Sequence, residues 1–112
     1  KAALEHFHTD TTSPTAIIFG DSPTAAEFMY KLTKKTDIQP GKDVAVVGYD
    51  YFPWADMLRV PLTTIEQPIK QIATNATKLT INRLDNPSAP KKQITLPHQL
   101  VVRQSSSQKT SR

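Results

Sequence analysis

The residues of this 112-residue chain that could do chemistry are carboxylates at the ends of apolar runs, three histidines and one Gly-Lys pair. The strongest candidate is Asp50. It closes the stretch Ile38-Gln39-Pro40-Gly41-Lys42-Asp43-Val44-Ala45-Val46-Val47-Gly48-Tyr49-Asp50, in which a polar turn gives way to a β-branched run. Such a run, bounded by turn residues, reads as a short buried strand. Ligands of open α/β sheets sit just beyond the carboxyl ends of such strands. A carboxylate there can accept two hydroxyl hydrogen bonds from a sugar, or an N–H from a purine-like ring. Asp50 is therefore read as ligand-facing, against the alternative of a loop carboxylate that closes a turn. Asp21 follows a second apolar run, Thr15 to Phe19, but Ser22-Pro23 come next, so helix N-capping is the favoured reading there. Tyr51, Phe52 and Trp54 form an aromatic cluster after Asp50. They would stack on a ligand, bury in a subunit interface or simply pack.

The other candidates fall away. His6 and His8 are two residues apart and would point in different directions on a helix, and His98 is remote, so no metal-ligand spacing exists. Pro40-Gly41-Lys42 lacks the upstream glycine and the following Ser/Thr of a phosphate loop. There is no G-x-G-x-x-G and no G-x-S-x-G. The absence of cysteine excludes disulfides, thiolate zinc sites and thiol nucleophiles, and it fits a reducing compartment. With no marked nucleophile, metal or cofactor motif, the chain is read as a non-enzyme without a cofactor. Asn75-Ala76-Thr77 matches a glycosylation sequon but falls inside a predicted helix.

The elements that would position Asp50 alternate. A helix over residues 1–8 and a polar turn lead into a strand over 15–19. A helix over 23–35 carries Ala25, Phe28, Met29 and Leu32 on one face, with Lys31, Lys34 and Lys35 toward its C-terminal end. A strand over 43–48 completes a βαβ unit, which implies a parallel pair and a right-handed crossover. A loop follows, with a helical turn near 54–58, then a strand over 62–66. A long helix over 68–84 has Ile69, Ile72, Ala73, Ala76 and Leu79 as its buried stripe, and the Pro-rich stretch 85–90 ends it. Two strand segments, 93–96 and 99–103, flank Pro97-His98. Residues 104–112 read as a disordered polar tail.

The length allows one small domain or part of a larger one. An apolar share of 38% is low for a self-sufficient core, and Lys1-Ala2-Ala3-Leu4-Glu5 looks like entry in mid-helix, so a fragment is expected. Of the formal charge of +4, two positives come from Lys109 and Arg112. No Lys/Arg cluster is interleaved with aromatics, so this stretch does not read as a nucleic-acid groove. No apolar run reaches the length of a membrane span, and the start is not a signal peptide.

Four motifs carry a family resemblance: Pro14 to Asp21 before an Ala-containing helix, Ile38 to Asp50, Pro61-Leu62-Thr63-Thr64-Ile65-Glu66-Gln67-Pro68, and Leu96 to Ser105. Their order and spacing over residues 14–105 resemble the lactose-repressor (LacI/GalR) family of bacterial transcription regulators. The resemblance implies an α/β fold, a three-layer parallel-sheet sandwich of the periplasmic-binding-protein-like type I kind, here its C-terminal subdomain. Residues 1–103 would then belong to an effector-binding and dimerisation domain. Asp50 matches a position that hydrogen-bonds effector, and Gly20 one that is often Asn and reaches effector. Gln67 and Ile69 match positions bordering the pocket near the crossover. Phe28, Met29, Trp54 and Met57 lie on segments that match the surfaces pairing subunits. The implied partners are a small-molecule effector, a sugar or sugar-like metabolite, a second copy of the chain, and operator DNA reached only through a helix-turn-helix head outside this chain. The implied place is the bacterial cytoplasm, without a membrane. A periplasmic sugar-binding protein of the same fold is the alternative. In the family the segment after Thr63-Thr64 crosses to the N-terminal subdomain, so helix 68–84 would lack part of its packing partner.

Overall fold

The computed structural model describes residues 14–107. In order they form β1 (Ala16–Ile18), α1 (Ser22–Lys35), β2 (Ala45–Tyr49), β3 (Thr63–Glu66), α2 (Ile69–Asp85), β4 (Gln99–Val101) and α3 (Gln104–Ser107). The sheet runs β1-β2-β3-β4. β1 and β2 pair in parallel with Ile17 opposite Val46, and β2 and β3 pair in parallel with Gly48 opposite Thr64. The βαβ unit and the strand after it are thus those predicted, within two residues at each end. The helix predicted over 1–8 lies outside the described residues.

Asp21 caps α1. Its carboxylate accepts the Thr24 N–H at 2.7 Å, and Pro23 occupies the first turn, where a missing N–H costs nothing. Lys34 and Lys35 sit in the last turn, where the carbonyl ends favour cations. Thr36 closes the helix, its N–H and its hydroxyl both donating to Leu32 O. The Ala25, Phe28, Met29 and Leu32 face meets Val44, Val46, Ala55 and Leu62 in one core. Each fully buried Leu or Val there contributes about 1.5–3 kcal/mol. Phe19 packs on Phe28 with ring centroids 5.0 Å apart.

Two glycines permit close approaches. A Cβ on Gly48 would lie 2.6 Å from Ser22 Oγ, so only glycine lets the start of α1 sit against β2. Gly41 has φ +82°, and a Cβ there would overlap the Gln104 carbonyl.

The C-terminal segment departs from the sequence reading. Residues 104–107 are not a disordered tail but a helical turn, and Ser105 is fully buried. Its hydroxyl donates to Val46 O at 2.6 Å and accepts the Thr63 N–H at 2.8 Å, bridging β2 and β3. Polar composition argued for disorder, yet those hydroxyls are the partners that buried backbone groups require. Residues 108–112 lie outside the described residues. Ser105→Ala removes both bonds at once. We expect a loss of about 1–3 kcal/mol in urea unfolding, the cost of stranding buried polar groups; a change within experimental error would show the bridge to be dispensable.

Two units are distinguishable. The first takes in the chain to Glu66 and again from Leu100, and the second is Gln67–Gln99. Within the second, the predicted stripe of α2 is not a core: no residue of the helix is buried, and Ile69 and Ile72 are 54% and 41% exposed. The 3.6-residue period is present, but an apolar stripe is buried only if something covers it. The side chains of Thr74, Asn75, Thr77 and Thr80 donate to carbonyls four residues back, and Arg83 donates to Pro87 O and Ala89 O beyond the helix end. Residues 93–96 form no strand, because no neighbouring strand completes a ladder with them. Ile18, in the apolar run of β1, is 71% exposed on the edge strand.

Candidate functional site

The carboxyl ends of β1 and β2 carry Gly20 and Asp50 on the same edge of the sheet. Asp50 is held by its backbone. Its N–H donates to Ile65 O at 2.9 Å, and its carbonyl accepts from Ser22 Oγ at 2.9 Å. The same Ser22 hydroxyl reaches Tyr49 O at 2.8 Å. Ser22 is fully buried and stands where Gly48 leaves room for it. The turn so fixed places Asp50 at φ +82°, a left-handed conformation that Asp tolerates better than most residues and that recurs at functional sites. The half-buried carboxylate is thus presented from an over-determined turn. Gly20 is exposed, with no atom within 4 Å of where a Cβ would be, so its position adds space rather than a contact.

Gln67 and Ile69 fall in the second unit, Gln67 half-buried and Ile69 opening α2, its N–H on Gln67 O at 2.8 Å. A cavity of ≈ 450 Å³ lined by Thr36, Ile38, Lys42 and Arg59 lies toward the amino-terminal end of β2, remote from Asp50. We place the chemistry by the strand ends and not by that hollow.

Phe28 and Met29 are corrected: at 6% and 5% exposed they are core residues on the inner face of α1, and neither presents a pairing surface. Trp54 and Met57 are 58% and 80% exposed, with Tyr51 beside them on the same loop. Phe52 anchors this loop, tucked under it and edge-to-face with Trp54 at 5.6 Å.

A polar cluster that sequence reasoning missed lies at the exit of β3. All five N–H groups of Arg103 find acceptors: Nε donates to Asp56 Oδ1 (2.6 Å), Nη1 to Leu62 O (3.0 Å) and Thr64 Oγ1 (2.8 Å), and Nη2 to Asp56 Oδ2 and Glu66 Oε1 (both 3.4 Å). Thr64 Oγ1 in turn donates to Glu66 Oε1 at 2.9 Å. Burial pulls the guanidinium pKa down, but hydrogen bonds and charge attraction from Asp56 and then Glu66 outweigh it and leave the group above its ordinary value. The signal available in the sequence was a cation set directly after an apolar Leu100-Val101-Val102 run.

Among the described residues no group of three His, Cys, Asp or Glu converges as a metal site, and no helix is long and apolar enough to cross a membrane.

The sequence profile of the periplasmic binding protein-like domain matches residues 1–106. The probable opine utilization operon repressor of Rhizobium rhizogenes is 37% identical over 91 residues, which are 80% of this chain and 46% of that protein. A LacI family transcriptional regulator from Lactobacillus casei, solved with bound sucrose, superposes with TM-score 0.77 at 30% identity, covering 93% of this chain and 38% of that one. The lac repressor dimer bound to operator and the anti-inducer ONPF superposes with TM-score 0.78 at 25% identity, over 94% of this chain and 36% of that one. The chain thus spans less than half the length of these relatives, and the relatives are transcriptional regulators, not enzymes. On the match across 1–106 and the shared fold, the chain belongs to the periplasmic binding protein-like domain family, within it to the effector domains of LacI/GalR-type transcriptional regulators.

Proposed function

We propose that the chain is the effector-sensing part of a bacterial LacI-type regulator, that it binds a sugar or sugar-like metabolite, and that ligand binding controls operator binding by a helix-turn-helix head outside it. The observation that carries this reading is Asp50, a carboxylate fixed in a left-handed turn at the carboxyl edge of a parallel sheet. Two acceptor oxygens suit adjacent hydroxyls of a sugar, and a related regulator holds sucrose. Gly20, on the same sheet edge, leaves the effector space. The effector acts by its differential affinity for the two states of the regulator. The protein works as a homodimer in the cytoplasm. The exposed Tyr51, Trp54 and Met57 form the pairing surface, a reading supported by the dimeric state of the related lac repressor. The repressor relatives support the regulator reading over a periplasmic sugar-binding protein of the same fold.

Calorimetric titration of the full-length regulator with a panel of mono- and disaccharides tests the reading. At least one should bind, and Asp50→Ala should weaken it by about 1.5–3 kcal/mol, the worth of hydrogen bonds to a charged group. The sedimentation of the dimer should not change. A panel without a binder rejects the sugar class; a binder held equally well by Asp50→Ala rejects the residue.

A further inference from the structure

The chain leaves the first unit after Glu66 and re-enters it at Leu100. Both connections are gripped by one side chain. Arg103, three residues past the re-entry, holds Glu66, the last residue before the exit, together with Leu62 O and Thr64 Oγ1 at the base of the same strand. Its side chain is only 13% exposed. Thr63 adds a second tie, its hydroxyl accepting the Arg103 N–H at 2.8 Å. The other edge of the guanidinium forks onto Asp56, through Nε at 2.6 Å and Nη2 at 3.4 Å. Asp56 stands between Trp54 and Met57, in a loop whose own backbone bonds are Ala55 N–H to Phe52 O and Met57 N–H to Trp54 O.

We propose that Arg103 is a positioning residue that couples the two strands connecting the units to the exposed aromatic loop 51–58, so that displacement of the connections at Glu66 is felt at Trp54 and Met57. The guanidinium is planar and rigid, and its five donors point in fixed directions. Glu66 and Asp56 sit on neighbouring edges of that plane, so one cannot shift without turning the plane away from the other. Lysine, a single ammonium on a flexible stem, cannot hold both carboxylates in fixed geometry. The Asp56 tie is the shorter, at 2.6 Å against 3.4 Å for Glu66, and Asp56 is also the more exposed partner. In the regulator this links the effector-responsive connections to the pairing surface; that meaning rests on the function proposed above, whereas the coupling itself does not.

Hydrogen–deuterium exchange on the full-length protein without any effector therefore separates the two. Glu66→Ala is expected to speed exchange at Ala55 and Met57 by about three- to tenfold, although Glu66 touches neither, and Asp56→Ala to speed exchange at 63–66 by a similar factor. In an Arg103→Ala background, Glu66→Ala should add nothing at the loop. Where Arg103→Ala does not fold, the Asp56→Ala/Glu66→Ala cycle replaces it, and the double variant should fall short of the product of the singles. A purely local role for Arg103 gives independent effects in that cycle. A folded Glu66→Ala protein with wild-type exchange in 51–58, or a multiplicative cycle, overturns the coupling whatever the effector proves to be.

Discussion

Gly41→Ala is expected to destabilise the protein by about 2–5 kcal/mol. The figure combines about 1–2 kcal/mol for a Cβ in the left-handed region with about 1–3 kcal/mol for displacing a packed neighbour. That neighbour is the Gln104 carbonyl, backbone that has no rotamer to escape into. Gln104 begins α3, and the next residue is the buried Ser105, so the displacement would reach the bridge between β2 and β3. Gly20→Ala is the matched control. It has open space around its Cβ position and no positive φ, and it should change stability by less than about 0.5 kcal/mol. Urea midpoints of the two variants decide the matter; equal midpoints would mean that the turn at Gly41 relaxes freely.

Arg103→Ala is expected to cost about 1.5–3 kcal/mol, the worth of hydrogen bonds to a charged group that is only partly shielded from water. Most of the loss comes from the inner side, where Leu62 O, Thr64 Oγ1 and the 20%-exposed Glu66 carboxylate lose their donor. Asp56 adds little, since at 75% exposed its charge is readily solvated. Arg103→Lys keeps the charge but not the fork, and should recover less than half of the loss in thermal unfolding. Complete recovery would show that charge alone holds the cluster.

How much of this was legible in the sequence depends on where each element's partners lie. α1 could be read almost to the residue because its signals are local: Asp21 and Pro23 at the start, a 3.6-residue apolar period, and lysines at the end. β2 was legible from its β-branched run between turn residues, and Asp50 from the Gly48 break that follows it. Ser105 was not, since its partners Val46 and Thr63 are distant in the chain and a serine in a polar tail carries no local mark of burial. The same reason hid the acceptors of Arg103. For Phe28 and Met29 the helical period pointed to an apolar face and the family resemblance to a pairing surface, and the facing Val44, Val46 and Leu62 place them in the core. The stripe of α2 shows the converse: its pattern is visible, but what covers it is not written in residues 69–85.

The separation between Ser105 and Val46 has a consequence for the newborn chain. Fifty-nine residues separate the two. A ribosome adding about 5–20 residues per second needs roughly 3–12 s to deliver the serine after the valine has been made. Once Glu66 has been added, β1 to β3 and α1 are all synthesised, yet the Thr63 N–H and the Val46 carbonyl still lack the serine that bridges them. Early docking of β3 on β2 is therefore provisional, and the first unit is locked from its C-terminal side, after the second unit has already been translated.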